Sequence, residues 1–360
     1  MTKGKSILLF STITIVGLFF LFLGLTKAKP FLAPFVTAII LALLMLPLAR
    51  KMENGIFSRS VSSLLNTIIL FLVSLGFMAL FSFQVKSLVD DWPQIKETMQ
   101  PKIAMVKDFV LEHSPLSEKS MEASSTEVLP NASGSTSNTG TSQKAAKFFS
   151  MVVGFLGTYL LTFIYIFFML TYRHRFKEFL IMIFPDDKKE EVKTVVEKSA
   201  GVAQKYLIGK LILVGILSVL YSIGLGISGV NNFILVSVIA ALFSIIPYIG
   251  NIIGLGMALA FGYLTSGDTM VLVGILLTFT IAQFVESYIL EPYVVGDKVE
   301  LHPFTIIISV IIGNMVWGVI GMILAIPVLG ILTVIFNHIP VLQPFGFLFS
   351  NKDEIKNSES

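Results

Sequence analysis

The sequence contains no cysteine and very little charge: 14% of its 360 residues are Asp, Glu, Lys or Arg, and 54% are hydrophobic. Soluble domains carry about a quarter charged residues, so this is not the composition of one. Without cysteine there is no disulfide framework, no thiolate metal site and no sulfur nucleophile. The four histidines, His113, His174, His302 and His338, are scattered and form no His-Glu-x-x-His, so no metal site is expected. No G-x(4)-G-K-[ST] loop is present to cradle phosphates, which removes an ATP-driven pump and leaves an ion or solute gradient as the energy source. No cofactor and no nucleic-acid partner is expected, and the net charge of +3 matters less than its placement.

What the chain has is length without charge. Ser6 to Thr26, Pro30 to Ala49, Ser60 to Val85, Phe148 to Tyr172, Leu211 to Gly267 and Pro303 to Asn351 contain no charged residue. Each is long enough to cross a hydrocarbon core of about 30 Å, which takes roughly 20 helical residues. Unbroken runs of this kind exclude a β-barrel, whose strands alternate over short segments. The fold class is therefore all-α: a polytopic integral membrane protein of about eight transmembrane helices, surrounded by a lipid bilayer. Ile7 to Leu25 follows Lys3 and Lys5 as a signal peptide would, but it is too long and lacks a small-x-small exit, so it reads as a span.

Arg50, Lys51 and Arg59 flank one turn, and Arg173, Arg175 and Lys177 follow the fourth span. An excess of Lys and Arg marks the cytoplasmic side, which places both termini inside and residues 86–147 outside; Lys27 and Lys29, in a very short outer loop, dissent. The chain thus divides into three spans (1–85), an outer insertion (86–147), a fourth span (148–172), a charged cytoplasmic segment (173–210), a transport core (211–340) and a tail (341–360). The insertion begins with apolar residues at helical spacing and continues as a Ser/Thr-rich stretch, Ser124 to Gln143, read as a disordered linker. Residues 173–210 mix both charges over an apolar stripe and read as an amphipathic helix pair, either a solvated connector or a gate.

Two runs are too long. Asn232 to Gly267 has 36 uncharged residues and Pro303 to Pro340 has 38, yet each is expected to cross once. A straight helix of 36 residues would rise about 54 Å, so both must break, each as a re-entrant hairpin or a broken helix. In SIIPYIGNIIGLG the break falls at Pro247, Gly250 and Gly254; in GNMVWGVIGMILAIP it falls among Gly313, Gly318, Gly321 and Pro327. Irregular backbone at membrane depth is tolerated where it is buried or lines a polar cavity, and paired interruptions point to a transport site. Asn251 and Asn314 lie near the two breaks. Close helix packing is the alternative role for these glycines.

In TMVLVGILLTFTIAQFVESYIL, Thr280, Gln283 and Ser287 form one polar stripe with Glu286 beside it. A carboxylate inside a span normally faces a cavity, a partner or an ion path; a plain boundary position is the other reading of Glu286. Gln283, Glu286, Asn251 and Asn314 are the candidate lining of a solute or ion path, and Glu291, beside Pro292, reads as a solvated end residue. The pattern from Gln283 onward, with Glu286, Pro292, Gly296, His302 and Pro303 and then Gly313, Gly318, Gly321 and Pro327, resembles the autoinducer-2 exporter family, also called PerM-like permeases. YLIG, Tyr206 to Gly209, and PYIG add to the likeness, which covers nearly the whole chain.

The resemblance implies an eight-span transporter of the bacterial cytoplasmic membrane, a small-molecule or ion substrate and a homo-oligomer. Members are similar to exporters of autoinducer-2, and some relatives act as sodium/proton antiporters. This chain departs from the family at Asp297 and Lys210, so the resemblance implies transport more firmly than it implies the solute. A passive channel remains a rival, and GISG, Gly226 to Gly229, is the remote trace of an intramembrane serine protease, lacking a histidine at membrane depth to serve as base.

Overall fold

The structure, a computed structural model, describes residues 3–90, 138–266, 268–294 and 301–351 together with Pro93 and Pro101. The described residues are almost wholly helical: α1 (Lys3–Lys27), α2 (Lys29–Glu53), α3 (Arg59–Asp90), α4 (Asn138–Met182), α5 (Lys189–Ile227), α6 (Phe233–Phe243), α7 (Ile249–Ser266), α8 (Thr269–Val285), α9 (Glu291–Val294), α10 (Pro303–Trp317), α11 (Val319–His338) and α12 (Gln343–Phe349). Six of these helical stretches are long and apolar enough to cross a membrane, and shorter apolar helices accompany them. The protein is a polytopic all-α membrane protein.

Helices α2 and α4 pack through Ala38, Ala42, Met45 and Ala49 against Ile166 and Leu170. The alanines recur at helical spacing on one face of α2, and without bulk there the two backbones approach closely. At the basic end Arg173 grips Glu53 with both guanidinium nitrogens, one of them 2.7 Å from Oε1, so the fork closes the helix pair where it leaves the apolar layer. On α3, Ser62, Ser63, Asn66 and Thr67 are buried; Ser62 and Asn66 reach toward α2, with the Asn66 amide also donating to the Ser62 carbonyl.

The charged segment is not a separate helix pair. Helix α4 runs on past Tyr172 to Met182, and α5 begins at Lys189 and continues through Lys210 to Ile227, so residues 173–210 are largely the ends of two long helices. The chain turns only around Pro185 and a 3₁₀ turn at Asp186–Lys188. The reason is local: Lys and Glu favour helix, and no proline follows Pro185 until Pro247. At 45 and 39 residues, α4 and α5 extend about 68 and 58 Å, well beyond the apolar layer. A Lys177–Glu197 contact of 2.6 Å joins their protruding arms. Helix α4 starts at Asn138, inside the stretch read as linker; the rest of that linker and the amphipathic part of the insertion beyond Asp90 lie outside the described residues, apart from Pro93 and Pro101.

The two long runs do break, and of the two expected forms both take the re-entrant hairpin, so neither crosses once. Each folds into a there-and-back hairpin. In the first, α6 and α7 meet at residues 244–248, where Pro247 stops the helix and Tyr248 takes a positive φ of 62°. A Cβ on Gly250 would fall on the Phe243 carbonyl, and Gly254 sits against Ala240, so these glycines serve both the break and the packing. In the second, α10 and α11 turn at Gly318, with φ 69° and ψ −141°, a conformation closed in practice to residues with a side chain. Gly313 and Gly321 then face each other backbone to backbone. A run of 36 or 38 residues is too long for one straight crossing and long enough to go in and return; sequence length alone does not separate a hairpin from a broken helix.

Pro327 does not break its helix. It is buried within α11, nine residues beyond Gly318, and α11 continues to His338. Glycine ends the helix here because it opens a backbone conformation that reverses the chain, whereas a proline inside a well-packed membrane helix costs one hydrogen bond and is tolerated. At the tip of this hairpin the Trp317 indole donates to the Leu25 carbonyl at 3.0 Å, tying the hairpin to α1.

Candidate functional site

Helices α5 and α8 run antiparallel. Gly224 faces Thr278, Gly274 faces Ser228, and the rings of Tyr221 and Phe279 stack with centroids 4.4 Å apart. Continued toward the basic side, this alignment brings Lys210 of α5 to Glu286 at the end of α8. Both lie on the inward stripes of their helices: Ala203, Tyr206, Lys210, Leu213 and Leu217 on one, Val271, Ile275, Phe279, Ala282 and Glu286 on the other. Gln283 to Val294 are therefore on the same side as Lys210, and so is Leu301, which packs with Tyr206 and Phe349 while the His302 amide donates to the Phe349 carbonyl at 2.8 Å.

Glu286 is only 5% exposed and so is no solvated boundary residue. Its Oε1 lies 3.5 Å from the Lys210 ammonium, and its Oε2 lies 3.4 Å from the Asn251 amide nitrogen. The same Asn251 nitrogen donates to Gln283 Oε1 at 2.5 Å, and the Gln283 amide donates to Ser287 at 3.1 Å. Asn251 Oδ1 is buried with no hydrogen-bond partner among the described residues. The first hairpin delivers Asn251 because its tip ends level with this pair: α6 has 11 residues, about 16 Å, too short to cross the apolar layer. Its turn satisfies its own backbone through short bonds such as Ser244 N–H to Ala240 and Gly250 N–H to Ile246. The polar side chains there are left for the cavity.

That cavity has a volume of about 440 Å³ and is open on one side. Lys210, Asn251, Gln283, Glu286, Ser287 and Glu291 supply its polar wall; Ile306 and Ile326 of the second hairpin supply apolar contacts. Three of the four predicted path residues meet here. Asn314 does not: it stands at the far end of α10, its carbonyl accepting from Gly318, while the hairpin's base faces the cavity. Lys210 completes the site and was read in the sequence as the end of the charged segment and as a departure from a family pattern; its place on the apolar stripe of α5 is the signal that could have found it. Glu291, read as solvated, is exposed but lines the cavity.

The helix of Glu286 changes pitch at that residue. Glu286–Leu290 form a π turn, closed by the Glu291 N–H donating to the Glu286 carbonyl. Pro292 explains it, since its ring clashes with the carbonyl four residues back and it brings no N–H, so a wider turn relieves both problems. Of the remaining pattern residues, Gly296 lies outside the described residues, and His302 caps α10 by accepting from the Phe304 N–H at 3.3 Å, with Pro303 at the first helical position where its missing N–H costs nothing. Ser228 of GISG donates its hydroxyl to the Gly224 carbonyl at 2.7 Å and packs on Gly274.

Comparison with known proteins bears on this arrangement. A sequence profile described as "AI-2E family transporter" matches residues 8–341. The chain is 26% identical over 326 residues to "Putative transport protein YueF" of Bacillus subtilis (strain 168), covering 85% of this chain and 83% of that protein. It is 32% identical over 133 residues to "Putative transport protein YrrI" of the same strain, 37% of each chain. A "Putative transport protein" of Borreliella burgdorferi is 23% identical over 214 residues, 58% of each chain.

Proposed function

Because the chain belongs to the AI-2E transporter family, we propose that it is a permease carrying a small polar solute or ion through the cavity between Lys210 and Glu286. The observation that carries this reading is the buried Lys210–Glu286 pair with Asn251 and Gln283 at the tip of a hairpin too short to cross the apolar layer. A carboxylate and an ammonium are costly at such depth, and a path for polar cargo is the usual reason to hold them there. Autoinducer-2 is the first solute to try, given the family's description. Sodium/proton antiport is the second reading, favoured by a buried carboxylate with a single basic neighbour.

The test is transport by the purified chain in proteoliposomes with imposed pH and sodium gradients, following autoinducer-2 and sodium in parallel. Saturable flux with counterflow is the expected result; flux that never saturates would make the protein a passive channel, and no flux of either species would sink both readings of the cargo.

The location proposed is the bacterial cytoplasmic membrane, with both termini and the protruding arms of α4 and α5 inside, and with several copies of the chain in one assembly. Native mass spectrometry of the extracted protein checks the last point, a lone monomer counting against it. A chain without cysteine allows single-cysteine mapping on the natural background. Asn231→Cys, in the exposed turn after α5, is expected to react with an impermeant maleimide in intact cells, and Thr194→Cys, exposed on the protruding arm, to react only after lysis. The reverse pattern inverts the orientation.

A further inference from the structure

Resting on the cavity as the transport path, we propose that Lys210 is a tethered cation that competes with a free monovalent cation for Glu286, and that Glu291 receives its ammonium when it leaves. The pair is not closed. A charge-assisted N–H to carboxylate contact settles at about 2.7–2.9 Å, as the surface pair Lys177–Glu197 does at 2.6 Å, whereas Lys210 stays 3.5 Å from Glu286. The other Glu286 oxygen fares no better, with the Asn251 nitrogen 3.4 Å away and already committed to Gln283. Beside them Asn251 Oδ1 is a buried acceptor with no donor among the described residues. A 95% buried carboxylate whose two donors stand at 3.4 and 3.5 Å, next to an amide oxygen with no donor among the described residues, is a set of oxygens arranged for a positive charge that the ammonium only partly supplies.

The charge count agrees. Among the described residues the cavity wall holds two carboxylates, Glu286 and Glu291, and one ammonium, Lys210; Tyr206, Tyr248, Asn251, Gln283 and the serines bring no formal positive charge. One monovalent cation balances it. Glu291 is placed to take part because of the π turn. In an α-helix residues five apart are about 140° apart around the axis, which would turn Glu291 away from the cavity. The i to i+5 bond between the Glu286 carbonyl and the Glu291 N–H closes a wider turn and keeps both carboxylates on the cavity face that Lys210 also lines. The ammonium, on a flexible four-carbon stem, then has two partners, a buried one and one at the mouth.

The test uses the purified full-length chain in detergent and reads the thermal midpoint in sodium chloride against equal choline chloride. A small sodium-specific rise is expected for the native chain. Lys210→Gln removes the tethered competitor, so sodium is expected to bind about ten-fold tighter if the ammonium holds Glu286 in roughly nine molecules of ten. Lys210→Arg keeps the site filled and abolishes the sodium-specific rise, and Lys210→Gln combined with Glu286→Gln abolishes it as well. Glu291→Gln, which strands the ammonium on Glu286, weakens sodium binding in the native background.

A second measurement covers variants that fold poorly: in Ser287→Cys, sodium but not choline is expected to slow maleimide labelling of the cavity. No sodium-specific shift in Lys210→Gln, a shift that survives Glu286→Gln, or labelling indifferent to sodium would each overturn the proposal. None of these readings uses flux. A chain that binds sodium and moves nothing contradicts the transport reading alone; a chain that moves solute with no sodium effect contradicts this one alone.

Discussion

Gly313→Ala is expected to cost the protein about 3 kcal/mol, the upper end of the range for overpacking a core. The new methyl group would fall on the Gly321 carbonyl, and the reciprocal change at Gly321 would fall on the carbonyl of Gly313. A flexible side chain could move aside; a backbone carbonyl held by the turn at Gly318 cannot. The two helices of the second hairpin must then separate, and Ile306 and Ile326 are carried away from the cavity with them. Gly256→Ala is the control, because nothing stands within 4 Å of the added atom. Unfolding midpoints in detergent check the pair, and similar midpoints for Gly313→Ala and Gly256→Ala would show that the hairpin is looser than its geometry.

The second large effect is at the ion pair. Lys210→Met leaves Glu286 buried beside Asn251 without a countercharge, a change that typically costs about 3–5 kcal/mol. Adding Glu286→Gln to it removes the stranded charge, so the double variant is expected to regain most of that stability. Flux is not expected to return, since a neutral wall has nothing to offer a cation or to exchange with one. A thermodynamic cycle over the two singles and the double measures the coupling. Additive losses would mean that the two residues act independently; restored flux in the double variant would remove both from the path.

Those expectations depend on features of unequal visibility in the sequence. Pro247 with Gly250, and Gly313 with Gly318 and Gly321, announced the two chain reversals, because few residues accept the backbone that a reversal requires. Gln283, Glu286 and Asn251 were found as polar residues in apolar surroundings and meet within hydrogen-bonding reach. Asn314 had the same local signal and stands elsewhere, since proximity to a break says nothing about which end of a hairpin faces a cavity. Lys210 looked like the last charge of a soluble segment, because a helix running unbroken across the boundary leaves no mark where it enters the apolar layer. The π turn was hidden for a related reason: Pro292 signals a disturbance, and only the packing around Glu286 decides that it becomes a widened turn and not an end. The protruding arms show the limit of composition, which registers polarity and not continuity.

The hairpins also bear on how such a chain is made. The first begins and ends on one side: Gly226 lies against Phe233 as α5 gives way to α6, and Gly274, just into α8, lies against Ser228. A unit of this kind adds nothing to the parity of the chain. As the nascent protein is threaded into the bilayer, α8 takes up its orientation from α5 whether or not α6 and α7 have already entered. The first hairpin is thus free to insert late and as a unit, after the walls it will lean on are in place. The same parity lets such a unit be gained or lost over descent without inverting a single later helix.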